Sequence, residues 1–136
     1  MTPPNLTSAT AGFSVDTFAQ FWAAPDVSLV STDQLHEDVV GDWPRAPEPV
    51  RGFDAYRQAI ADLLDEVPDL KLEVAEHATN GEYIFIRWVA HATGADGPFE
   101  ISGIDRIRVV DGRVKENIIR FDSATFDALV NGRAAA

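Results

Sequence analysis

The stretch "EISGIDRIRVVDGR", residues 100–113, puts a carboxylate where chemistry is possible. Its alternation reads as a β-strand entering a tight turn, with Ile101, Gly103, Asp105, Ile107 and Val109 on one face. Ser102, Ile104, Arg106, Arg108 and Val110 occupy the other. Asp105 therefore sits on the more apolar face, where an unpaired carboxylate is costly to bury. Its own strand's arginines point away and cannot pair with it. A salt bridge to another element, or a wet sheet edge, would account for it. The alternative is a functional carboxylate, desolvated so that it titrates above an ordinary aspartate.

The neighbouring strands continue the pattern. In "YIFIRWVAHA", Ile84, Ile86, Trp88 and Ala90 form an uncharged face, with Arg87 and His91 opposite. In "ENIIRF", Asn117, Ile119 and Phe121 share one face, while Glu116, Ile118 and Arg120 share the other. With the apolar faces aligned, Asp105 stands in a pocket walled by Ile86, Trp88, Ile107, Ile119 and Phe121, with Asn117 beside them. A mostly apolar cavity with a few convergent polar groups is the usual form of a small-molecule site. Trp43 could line its mouth beside Asp42, although a tryptophan before proline is as often simple loop packing. Phe18, Phe21, Tyr56 and Leu63 complete the candidate contacts, although Phe18 and Phe21 fit a plain core role at least as well. His36, His77 and His91 lack ligand spacing, and no Gly-rich phosphate loop is present, so neither metal nor cofactor is expected.

The elements that must position these residues come in a simple order. Residues 1–12 read as a flexible tail, 13–130 as one domain and 131–136 as a frayed end. Ser14 is a helix N-cap with a Phe13/Phe18 staple, and Pro25 ends that helix. Residues 26–36 read as a second, short helix. "DVVGDW" at 38–43 reads as a strand, followed by a proline-rich loop. Residues 53–67 form the clearest helix, with Tyr56, Ile60, Leu63 and Leu64 on one side. Three turns, "TNGE", "GADGP" and "DG", then separate four strands, and an amphipathic segment at 123–130 closes the chain. Helices first and an antiparallel meander after them predict an α+β domain with a curved sheet folded around helices.

Composition narrows the class. The 136 residues carry 11 Lys and Arg against 22 Asp and Glu, a formal net charge of −11. That balance argues against a nucleic-acid or anionic-membrane partner, because phosphates need a basic footprint. The absence of cysteine removes disulfides, thiolate metal sites and thiol nucleophiles. "MTPPNLTSATAG" lacks the features of a signal peptide, and no apolar run reaches membrane-spanning length, so a cytoplasmic location is expected.

The order of elements, together with "HEDVVGDWP", "EPVRGFDAYRQAI", "GIDRIRVVDGRV" and "ENIIRFD", resembles the SnoaL-like branch of the NTF2-like superfamily. The resemblance runs from about Phe13 to Asp122. It implies a conical α+β barrel enclosing an apolar pocket, the fold of ketosteroid isomerases, polyketide cyclases and limonene epoxide hydrolases. It also implies roles. Asp42 falls where the isomerases keep their general base, and Asp105 where they keep a protonated, hydrogen-donating aspartic acid. Three positions depart from those patterns. Phe21 stands where the isomerases carry an oxyanion-hole tyrosine. Ile119 stands where the cyclases carry an aspartate, and Asp105 where they carry histidine. Tyr56 or Tyr83 could supply the missing hydroxyl, though nothing in the sequence aims either at Asp105.

The leading expectation is a cofactor-independent enzyme that isomerises, dehydrates or cyclises a hydrophobic carbonyl compound through an enol(ate), using Asp42 and Asp105. Phe21 and Ile119 leave open a non-catalytic small-molecule binder. Epoxide opening ranks lower, since Arg87 and Arg106 face away from the pocket, and no exposed patch marks a protein-interaction domain. Phe85, Val89, Ile104, Val110 and Ile118 on the outer sheet face predict a homodimer.

Overall fold

The computed structural model describes residues 12–132. Helix α1 (Val15–Ala23) begins where Ser14 accepts from the Thr17 amide, and the Thr17 side chain returns the bond to Ser14. Phe13 and Phe18 meet edge to face, as a hydrophobic staple requires. Helix α2 spans Phe53–Glu66 and buries Tyr56 and Ile60. Helix α3 (Ser123–Asn131) is capped by Asp122 and ends on Gly132 in the left-handed region. All of the tail expected at 1–12 except Gly12, and most of the frayed end at 131–136, lie outside the described residues, while Asn131 is helical and Gly132 caps it.

Among the described residues six strands form one sheet: β1 (Leu35–Asp42), β2 (Val50–Arg51), β3 (Lys71–Asn80), β4 (Tyr83–Gly94), β5 (Gly97–Val110) and β6 (Arg113–Phe121). Their order is β2-β1-β6-β5-β4-β3. Only β1 and β6 run parallel, and β2 and β3 remain as edges, so this is an open α+β cone and not a closed barrel. Register irregularities in β3, at Ala75, and in β6, at Lys115, bend the strands over the helices. At the β5–β6 hairpin, Asp111 and Gly112 both take positive φ, the geometry a two-residue turn needs.

Residues 26–36 correct the sequence reading. They form a single 3-10 turn at Val27–Leu29, held by Asp26 accepting from Ser28, and leave it extended at Val30. Strand β1 then begins at Leu35 rather than residue 38. Spacing alone allowed a helix for Val27, Val30 and Leu35. Pairing of Leu35 with Val114 across the parallel β1–β6 ladder draws this segment into the sheet instead. The same tertiary pull makes Val50–Arg51 a short strand within the expected loop.

Candidate active site

The apolar sheet face and the three helices line a partly open cavity of about 460 Å³. Strands β4, β5 and β6 supply Trp88, Asp105, Ile107, Asn117, Ile119 and Phe121. Helices α1 and α2 contribute Phe18, Phe21, Tyr56 and Leu63, and Trp43 follows β1. All of these were candidates from the sequence. Ile86 is the exception among the wall residues: it pairs with Asp105 across the sheet and is completely buried, but is not among the residues that line the cavity. Sequence reasoning missed Leu29, Leu70 and Phe126, which also line the cavity. Phe126 was legible only as part of an amphipathic C-terminal helix.

Asp105 is 5% exposed, and its carboxylate is held by two donors. Trp88 Nε1 donates to Oδ1 at 2.9 Å, and Asn117 Nδ2 donates to Oδ2 at 3.0 Å. Among the described residues no cation pairs with it. Burial raises its pKa from 3.8 to about 6, against the opposing pull of the Asn117 and Trp88 hydrogen bonds. Asn117 Nδ2 also donates to the Tyr56 hydroxyl oxygen at 3.0 Å. Burial pushes the Tyr56 hydroxyl far above its usual range, so it stays protonated. The site is therefore one linked cluster, Trp88–Asp105–Asn117–Tyr56, at the polar end of an apolar cavity.

Two glycines make this packing possible. Gly103 lies opposite Trp88 in register, and a Cβ there would stand 2.5 Å from the indole. Gly41 lies under Trp43 and Tyr56, where a Cβ would come within 2.8 Å of the tyrosine ring. A glycine inside a strand is the available sequence signal for such close approach.

The expectation that two aspartates converge on one cavity is corrected. Asp42 lies outside the cavity lining and pairs with Arg120, Nη2 to Oδ2 at 3.2 Å. Val39 and Gly41 turn inward on β1, so the intervening Val40 and the terminal Asp42 turn outward. Asp42→Asn should accordingly change ligand turnover by no more than a few-fold and stability by under about 1 kcal/mol, the usual worth of an exposed ion pair. A loss of a hundredfold or more in a kinetic assay would return Asp42 to the mechanism.

The outer sheet face is laced with cross-strand ion pairs. Arg87 meets Glu76, Arg106 meets Glu116, Arg108 meets Glu82, and His91 lies between Glu73 and Glu100. No arginine lines the cavity among the described residues. Nor does any group of three or more His, Asp or Glu stand together as a metal site among them.

The sequence matches the model of the SnoaL-like domain over residues 15–117. The chain belongs to the SnoaL-like family. Among curated proteins, none matches the sequence. Solved structures of the same fold include TerC co-crystallised with polyporic acid, 16% identical, with a TM-score of 0.72 over 93% of this chain and 98% of that one. A Catenulispora acidiphila protein with a ketosteroid isomerase-like fold, in complex with trimethylamine, is 14% identical, with a TM-score of 0.75 over 85% of this chain and 90% of that one. IdmH from Streptomyces antibioticus, a proposed polyketide cyclase, is 21% identical, with a TM-score of 0.69 over 90% and 96% of the two chains. At these identities the likeness establishes the NTF2-like fold of this SnoaL-like protein. Among its described residues no helix is long and apolar enough to cross a membrane.

Proposed function

We propose that this SnoaL-like protein is an acid/base enzyme acting on a hydrophobic carbonyl compound, with Asp105 taking and returning the proton. One observation carries the reading: a buried carboxylate, bonded among the described residues by two neutral donors, on the wall of an apolar cavity. Those donors keep the ionised form accessible while burial lifts the pKa to about 6. Both protonation states are then populated near neutral pH, as a reversible proton carrier requires. Asp105 removes a proton from the carbon beside the carbonyl, and the C–H electron pair becomes the carbon–carbon double bond of an enolate. Returning the proton at a different carbon completes an isomerisation. Attack by the enolate carbon on a second carbonyl of the same molecule, whose oxygen takes the proton back from Asp105, gives cyclisation; loss of a β-hydroxyl, protonated by Asp105 as it leaves, gives dehydration. With Asp42 outside the cavity lining, one aspartate performs the acid and base steps that the family resemblance divided between two.

The cavity lies within the roughly 300–1,000 Å³ of ordinary small-molecule sites. The small molecules bound in the TerC and Catenulispora structures support such a ligand in this fold. The test is a panel of β,γ-unsaturated ketones, with conversion to the conjugated isomer followed by absorbance and binding by ligand-induced melting shifts. Turnover that disappears in Asp105→Ala supports the enzyme reading. Melting shifts without turnover favour a non-catalytic binding protein, the reading to which apolar Phe21 and Ile119 belong. A second copy of the chain remains the proposed partner for the outer face, where Ile104 is 41% exposed among the ion pairs. Sedimentation at tens of micromolar, roughly the range for a weak interface, should show a dimer, and a monomer there removes the proposal.

A further inference from the structure

The Tyr56 oxygen accepts a hydrogen bond from Asn117 Nδ2. The same nitrogen gives its other hydrogen to Asp105 Oδ2. An amide nitrogen carries two hydrogens, so both are committed while Asp105 is ionised. Asn117 Oδ1 has no partner among the described residues, which means that Tyr56 does not donate to it either. The Tyr56 O–H is thus left without an acceptor among the described residues, on a side chain that lines the cavity. A buried hydroxyl donor with no partner is costly unless a ligand supplies one.

We infer that Tyr56 is a second catalytic residue, donating its O–H to the substrate oxygen on which charge develops as Asp105 takes the proton. The inference rests on the proton-transfer reading above. The two bonds from Asn117 Nδ2 are each 3.0 Å long, and the hydrogens of a planar amide diverge by about 120°, so near-linear bonds correspond to a Tyr56 Oη to Asp105 Oδ2 separation of roughly 5 Å. A carbonyl oxygen and its neighbouring carbon fit between them, the oxygen toward Tyr56 and the carbon toward Asp105. The electrons balance without a co-reactant: the C–H pair forms the new double bond, the carbonyl π pair moves to oxygen, and the proton resides on Asp105. Packing fixes the donor, since the Tyr56 ring lies against Trp43 with centroids 4.9 Å apart. Trp43 approaches so closely because Gly41 presents no side chain beneath the pair. Asn117 links the two roles, because the bond that holds Asp105 as a base is made by the nitrogen that turns the Tyr56 hydrogen outward.

The probe is acetylnaphthalene with an isotope-labelled carbonyl carbon, bound to the full chain in deuterated buffer. The carbonyl resonance reports a hydrogen bond to oxygen, and deuterium entering the methyl group reports proton abstraction. In the parent the bound carbonyl should move downfield. In Tyr56→Phe that shift should vanish, and exchange should slow on the order of a hundredfold, the cost of one lost oxyanion donor. Asp105→Asn should stop exchange. Replacing Tyr56 with 3-fluorotyrosine keeps the ring and makes its hydroxyl more acidic, so the shift should grow; this variant decides the matter if Tyr56→Phe fails to fold. A shift unchanged in both Tyr56 variants overturns the inference, and so does an unshifted carbonyl in the parent. A Tyr56-dependent shift without any exchange upholds the donor and removes the proton-transfer reading.

Discussion

Asp105→Asn should gain stability with rising pH relative to the parent while losing nearly all proton transfer. The folded chain raises the Asp105 pKa from 3.8 to about 6 because burial disfavours its charge. A carboxyl whose folded pKa lies above its unfolded value favours the fold at low pH. That contribution is complete below the unfolded pKa and is lost as pH climbs from about 4 through about 6. The interval corresponds to about 3 kcal/mol. Asparagine does not titrate, so the stability difference between variant and parent should move by about that amount in the variant's favour between pH 3 and pH 8. This change across pH is independent of whatever asparagine costs by its shape. Local bonding accommodates it: Asn117 can turn its amide so that Oδ1, unpartnered now, accepts from both the new amide and Tyr56. Proton transfer should fall on the order of a thousandfold, since no other carboxylate of the cluster can take its place. Denaturant melts at both pH values, with the ketone assay, read both effects. A difference that stays flat across pH would show that Asp105 titrates normally.

Gly103→Ala should disturb the site from behind. The added Cβ meets two indole carbons of Trp88 at 2.5 Å and the Arg120 carbonyl oxygen at 2.8 Å. Trp88 is 4% exposed and packs on Phe121, so it has little room to retreat. Overpacking of this kind costs typically 1–3 kcal/mol. The movement also pulls Nε1 from Asp105 Oδ1, a bond that lowers the carboxyl's pKa. Asp105 should then titrate higher than in the parent, moving the acid limb of the rate profile upward. Trp88→Phe separates the two consequences, since it removes the N–H without adding an atom at Gly103. It should raise the Asp105 pKa in the same direction. Carboxyl NMR and thermal melts check both variants; an unmoved Asp105 titration in both would detach Trp88 from the chemistry.

Much of the fold and half of the expected aspartate pair could be read from residue order alone. Alternation is a local property, because side chains on a strand change face at every residue. It therefore determined that Asp105 shares a face with Ile107 and that Arg106 and Arg108 leave it. The same rule placed Asn117 with Ile119 and Phe121. Helix caps and the "DG" turn were equally local, requiring only Ser14, Asp111 and their neighbours. Strand β1 offered no such decision. Val39 and Val40 are equally apolar and point to opposite faces, so hydrophobicity could not say which side of "DVVGDW" turns inward. Parallel pairing with β6 and the close seating of Trp43 and Tyr56 over Gly41 settled it, leaving Asp42 outside with Arg120. Residues 26–36 failed for a related reason, since their apolar spacing was compatible with a helix until Leu35 found Val114. The bonds from Trp88 and Asn117 to Asp105, and from Asn117 to Tyr56, join β4, β5, β6 and α2 across long stretches of chain. Only tertiary structure decides such meetings, because the direction of a side chain is local but its partner depends on register and on which helix covers the sheet.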